Sequence, residues 1–170
     1  MAVDPATIDL LVLDVDGVLT DGLVFYDDAG RELKAFDVKD GAGIKYWHRV
    51  GKRSAILTGR SSPLVERRGG ELGVTVIRQG AMDKLPVLRE ILAELNVPAE
   101  RAAYIGDDLP DLPAMRECGL AITVADAVEE IIGAADWVSP HNGGRGAVRW
   151  AVERLLRAGG LWDGILSRYV

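Results

Sequence analysis

Two aspartates separated by one residue stand directly behind an apolar run: Ile8-Asp9-Leu10-Leu11-Val12-Leu13 leads into Asp14-Val15-Asp16-Gly17. Such a run reads as a strand buried on both faces, as in a parallel sheet. The strand therefore presents two carboxylates at its carboxyl tip, the edge where open α/β sheets bind ligands. Crowded carboxylates repel each other unless a cation or a shared proton relieves them. Gly17 lets the backbone turn sharply just beyond them.

Three later segments place more chemistry at matching positions. Ala55-Ile56-Leu57-Thr58-Gly59-Arg60 is a short apolar strand that delivers a hydroxyl, a glycine and a guanidinium. Ser62-Pro63 follows as an N-cap with proline at the first helical position, and such a helix start suits an anion. Lys84 opens a helical pattern with Leu85, Leu88, Ile91, Leu92 and Leu95. Ala102 to Gly106 is again an apolar strand, and Asp107-Asp108-Leu109-Pro110-Asp111 puts carboxylates at its tip.

Strand-like segments near 9–15, 54–58, 74–77, 102–106, 120–123 and 136–138 alternate with helical patterns near 41–51, 62–72, 82–95, 110–117, 126–133 and 144–157. This alternation predicts an α/β fold, a doubly wound, mostly parallel sheet with helices on both faces. Residues 22–37 break the rhythm with two extended runs around Asp27-Asp28-Ala29-Gly30, a β-hairpin signature. The hairpin follows the first carboxylate pair and is expected to stand over or beside it. The intervals between Asp14, Thr58 and Lys84 leave no room for a separate cap domain. One domain over 1–170 is the expectation.

Composition limits the partners. Acidic side chains outnumber basic ones 26 to 20, for a net charge of −6, which argues against a general nucleic-acid binder. The lone Cys118 excludes an internal disulfide framework and suits a reducing, cytoplasmic setting. No apolar run approaches the ~20 residues of a membrane span, and no signal segment is expected. His48 and His141 read as packing or surface residues, so no Cys/His cluster calls for zinc.

The ordered set Asp14-x-Asp16, Thr58, Lys84 and Gly106-Asp107-Asp108-x-x-Asp111 resembles the four motifs of the haloacid dehalogenase superfamily of aspartate-nucleophile phosphotransferases. Asp14 to Gly22, Phe36 to Ile44, Leu57 to Arg60, Gly106 to Asp111 and Gly143 to Arg149 narrow the resemblance to the capless 3-deoxy-D-manno-octulosonate (KDO) 8-phosphate phosphatases. The likeness spans roughly residues 8 to 160. It implies a magnesium-dependent phosphatase acting on a small sugar-acid phosphate through an aspartyl-phosphate. Asp14 is then the nucleophile and Asp16 the general acid/base, while Thr58 and Lys84 hold the phosphoryl oxygens. Magnesium is bound by the Asp14 and Asp107 side chains and the Asp16 backbone carbonyl. Asp108 and Asp111 stand behind these ligands as hydrogen-bond partners or helix caps. Capless relatives narrow the open mouth with neighbouring subunits, which implies a homotetramer built on the hairpins.

The same resemblance assigns substrate contacts to Lys39, Asp40, Gly41, Lys45, Gly59, Arg60 and Arg68. Arg60 suits a carboxylate through its bidentate fork. Relatives acting on nine-carbon keto-sugar phosphates resemble glutamate there, so Arg60 favours the eight-carbon acid. Asp37, Lys39 and Lys45 depart from the more common asparagine and arginines. Two further readings stay open: a nonulosonate 9-phosphate or broad-specificity phosphatase, and a non-catalytic oligomerisation module. At positions 159–170, Trp162, Ile165, Leu166 and Tyr169 keep helical spacing and are expected to dock on the core; the resemblance leaves open the alternative that this tail enters a neighbouring subunit's site.

Overall fold

A computed structural model of the chain describes residues 4–170; residues 1–3 of the expected single domain lie outside the described residues. The apolar run forms strand β1, Leu10–Leu13, with every residue buried. It lies inside a six-stranded parallel sheet whose strands follow in chain order as β4 (Arg53–Leu57), β5 (Val76–Arg78), β6 (Ala102–Gly106), β7 (Leu120–Thr123) and β8 (Trp137–Val138). The spatial order is β5-β4-β1-β6-β7-β8. Leu10 registers with Arg53 on one side and with Ala102 on the other. The chain runs outward from β1 to β5, then crosses back to β6 and runs outward the other way. The switch point therefore falls between β1 and β6, where a crevice opens beyond the strand ends.

Side-chain alternation along β1 divides the core. Leu11 and Leu13 join the layer containing α1 (Val38–Arg49), α2 (Pro63–Leu72), α6 (Ala147–Ala158) and α7 (Trp162–Leu166). Leu10 and Val12 join the layer of α3 (Lys84–Leu95), α4 (Leu112–Glu117) and α5 (Glu129–Ala134). Helix starts are set by local chemistry. Ser62 accepts from the Leu64 amide at 3.3 Å with Pro63 behind it, as expected. Helix α1 begins three residues before the expected 41, because Asp37 caps it through the amides of Lys39 and Asp40. Helix α6 begins later than expected, since Gly144 and Gly146 adopt positive φ in the preceding loop. Helix α4 is introduced by a single 3₁₀ turn, Leu109–Asp111.

The hairpin is present but minimal, with β2 (Phe25–Tyr26) paired to β3 (Glu32–Leu33). Asp27 closes its turn by accepting from the amides of Ala29 at 3.0 Å and Arg31 at 2.8 Å. At the chain end, Trp162 and Ile165 are buried, whereas Leu166 and Tyr169 stay largely exposed. Docking thus uses half of the expected stripe. His48 meets Ser54 at 2.7 Å and His141 is exposed, both consistent with packing and surface roles. Among the described residues no helix is long and apolar enough to cross a membrane.

Asp40 requires a correction. It is 1% exposed, and its carboxylate accepts from the amides of Arg149 at 2.7 Å and Gly146 at 3.2 Å. It therefore caps α6 from α1 instead of facing the crevice. Asp40→Ala strands two amides and is expected to cost roughly 1–3 kcal/mol of stability. Urea unfolding checks that figure. Turnover by the folded variant should be unchanged; a raised KM for substrate would return Asp40 to the binding site.

Candidate active site

Asp14, Asp16, Thr58, Gly59, Arg60, Lys84, Asp107, Asp108 and Asp111 converge on one cleft of about 320 Å³ at the β1–β6 switch point. Asp14 leaves β1 with its amide still bonded to the Ile105 carbonyl at 3.0 Å, so the sheet itself aims this residue. Thr58 is held likewise at the end of β4 by the Arg78 carbonyl, 3.0 Å from its amide. The chain turns at Gly17, whose φ is +88°. A side chain there would collide with the Asp107 carboxylate, so glycine lets the two strand-end loops close on each other.

Charge orders the interior. Lys84 is 4% exposed; its ammonium donates to Asp111 at 2.6 Å and lies 3.0 Å from Asp14 Oδ2. Burial alone pulls its pKa down, but Asp14 and Asp111 outweigh that and raise it, so it stays charged. Asp111 is fully engaged. Oδ1 also accepts from the Tyr104 hydroxyl at 2.7 Å, and Oδ2 accepts from the amides of Asp107 and Asp108 at 3.2 and 3.3 Å. Asp108 turns to its own helix start, accepting from the Leu109 amide at 2.7 Å.

Two oxygens are left over. Among the described residues, Asp14 Oδ1 and Asp107 Oδ1 are buried without a hydrogen-bond partner, an arrangement that costs free energy unless something electropositive joins them. Burial first, then the neighbouring Asp111, pushes Asp14 up to about 6. Burial, then Asp14 and Asp111, pushes Asp107 up to about 8. Oxygens of Asp14, Asp107 and Asp111 lie within 4.8 Å of one another. Since those of Asp111 are already used, Asp14 and Asp107 are the fitting ligands. This hard, all-oxygen donor pair suits magnesium rather than zinc.

The hairpin supplies groups that the motif reading missed. Lys34, the residue after β3, donates from its ammonium to Asp16 Oδ1 and lies 3.5 Å from Glu32. Glu32 in turn accepts from Arg60 at 2.6 Å, and Arg60 Nε is 3.5 Å from Asp16 Oδ2. Only the burial of a lysine inside an otherwise exposed hairpin marks Lys34, and that is invisible in sequence. Other expected contacts do not reach the cleft. Lys39 and Lys45 are exposed on α1. Gly41 packs under the Arg68 guanidinium. Arg68 bonds to Glu71 at 3.4 Å and to the Asp37 carbonyl at 3.5 Å, beside a separate hollow lined by Phe36, Val38 and Leu64.

The haloacid dehalogenase-like hydrolase family matches residues 70–151. The KDO 8-phosphate phosphatase KdsC of Escherichia coli K12 is 47% identical over 156 residues, covering 92% of this chain and 83% of that protein. The chain belongs to the KDO 8-phosphate phosphatase family. The crystal structure of the KDO 8-phosphate phosphatase from Moraxella catarrhalis in complex with magnesium ion, phosphate ion and KDO superposes with a TM-score of 0.96 at 41% identity. It covers 98% of this chain and 96% of that one. The cobalt-bound form of the Haemophilus influenzae phosphatase gives 0.90 at 40% identity, covering 92% of each chain. The phosphatase thus joins this family by fold as well as by sequence.

The unpartnered oxygens make the phosphatase's stability depend jointly on pH and metal. Unfolded aspartates lose their protons near 3.8, whereas the metal-free folded site holds them to about 6 and about 8. Both carboxyls therefore contribute fully below the unfolded value, and the contribution is lost as pH rises through the folded values. Metal binding displaces those protons. Magnesium is expected to raise the melting temperature more at about pH 8.5 than at about pH 5.5. Differential scanning fluorimetry checks this, and an equal gain at both pH values would contradict it.

Proposed function

We infer that this phosphatase hydrolyses KDO 8-phosphate to KDO and phosphate with magnesium. The observation that carries the reading is the pair of unpartnered oxygens on Asp14 and Asp107 beside the buried Lys84. A cation site and a fixed ammonium together meet the need of phosphoryl transfer for charge neutralisation and alignment. Bound metal would supply two positive charges to the phosphoryl oxygens. An intact catalytic set argues against a purely structural module.

Asp14, aligned by β1, attacks phosphorus; the new Asp14 O–P bond forms as the sugar O–P bond breaks. Asp16 gives its proton to the departing sugar oxygen. It then takes a proton from the water that attacks the aspartyl-phosphate, and phosphate leaves with Asp14 restored. Thr58 and Lys84 hold the transferring group throughout. Lys84 is itself fixed by Asp111, and Asp111 by Tyr104.

Arg60 at the mouth supports the eight-carbon acid over a nine-carbon one. Its side chain is half exposed, so a substrate carboxylate can exchange with Glu32 for the guanidinium. We also assign the chain to a single capless domain, working in the cytoplasm as a homotetramer. Leu23, Phe25, Tyr26 and Leu33 are exposed on the hairpin, an apolar surface that supports burial against other copies.

Arg60→Ala is expected to cost about 1.5–3 kcal/mol in kcat/KM for KDO 8-phosphate, roughly 10- to 100-fold. It should matter far less for p-nitrophenyl phosphate, which has no carboxylate. Steady-state kinetics on both, with a nine-carbon keto-acid phosphate alongside, test the substrate assignment. Equal losses on both, or a wild-type preference for nine carbons, would remove it.

The assembly reading expects a tetramer by light scattering at micromolar concentration, and a smaller species for Phe25→Asp. A fully active wild-type monomer would dispose of it.

A further inference from the structure

Lysine is among the side chains least often buried, yet the Lys34 side chain is 2% exposed in a hairpin whose Phe25, Tyr26 and Leu33 are exposed. Its ammonium is directed inward, onto one oxygen of Asp16. Ordering a long, flexible side chain in this way costs rotamer entropy, so a specific contact must offset it. Among the described residues, Lys34 supplies the hydrogen bond to the Asp16 carboxylate. The other nearby cation, Arg60, stands 3.5 Å from the second oxygen and is hydrogen-bonded to Glu32 instead. The backbone of the loop after β1 gives that carboxylate no amide donor, whereas Asp111 receives two. Asp16 is thus a carboxylate of the cleft oriented by a side chain of the hairpin.

We propose that Lys34 is the positioning residue for proton transfer: the hairpin-borne ammonium holds the Asp16 carboxylate at the angle from which it serves the leaving oxygen and the attacking water. This rests on Asp16 being the acid/base. The hairpin then takes part in the chemistry through a single side chain. Lys34 needs no contact with substrate. Glu32 sits 3.5 Å from the same ammonium and 2.6 Å from Arg60, so β3 and the residue just after it carry both the group that orients the proton carrier and the counter-ion of the arginine at the mouth.

The test is a double-mutant cycle in the full-length, magnesium-loaded enzyme with Lys34→Met, Asp16→Asn and the pair. Methionine keeps the buried stem and removes the charge. On KDO 8-phosphate, Lys34→Met is expected to lower kcat roughly 10- to 100-fold with little change in KM, the scale of a misaligned proton transfer. In the Asp16→Asn background the same change should cost less than about 3-fold, because the group it orients is gone. On p-nitrophenyl phosphate, whose leaving group departs without a proton, the burst of p-nitrophenolate should persist while the steady state slows. Lys34→Arg, which keeps a charged donor, should recover part of kcat. Additive losses in the cycle, a raised KM at constant kcat, or loss of the burst would overturn the proposal. The first and last would point to a structural role, the second to substrate binding. An impaired Asp16→Asn with an unimpaired Lys34→Met would overturn the positioning role alone. Full activity in Asp16→Asn would overturn the acid/base assignment itself.

Discussion

The structure is organised around mutual repulsion among Asp14, Asp107 and Asp111. Their oxygens lie within 4.8 Å of one another, where each like-charged pair costs about 3–4 kcal/mol at an effective dielectric of about 20. Lys84 cancels one of three negative charges, and the two that remain match one divalent cation. The amides and phenol around Asp111 keep that carboxylate for Lys84, so among the described residues the unpartnered oxygens are those of Asp14 and Asp107. The hydrogen bonds of Asp111 thereby decide which oxygens stay free for a hard cation.

Much of this was legible before any coordinates. The buried strand ending in Asp14, the later strand ends and the helix starts all follow from apolar runs, Ser62-Pro63 and the glycines, each a local signal. The pairing of Asp107 with Asp14 as metal ligands follows from the family resemblance, and the neighbouring parallel strands β1 and β6 place both residues at one edge of the sheet. The α1 region shows where local signals fail. Phe36 to Ile44 matches a family motif, yet Asp40 spends its carboxylate on α6, more than a hundred residues away. A capping partner so remote has no local signature. Lys34 was missed for the opposite reason: its hairpin reads as exposed, and burial of one ammonium within it depends on where Asp16 points.

The hairpin has two faces with different work. Phe25 and Leu33, paired across the ladder, are apolar and open to solvent on its outer side, whereas Tyr26 pairs with Glu32 on the side that, with Lys34, turns toward Asp16 and Arg60. Two-residue strands do not hold a hairpin in place by ladder bonds alone. These ion pairs tether it to the cleft and tie the mouth to Asp16.

The loop before α6 adds a constraint of another kind. Gly144 donates to the Val18 carbonyl at 2.9 Å, and a side chain at Gly143 would overlap the Gly17 backbone. The turn that carries Asp16 is therefore braced by residues more than a hundred positions downstream, and β1 itself needs β6 beside it. Asp14 thus precedes by more than a hundred residues the glycine loop that completes its surroundings. The walls of the cleft are distant from one another in sequence, so its cation site forms with the fold as a whole and no short segment can assemble it in advance.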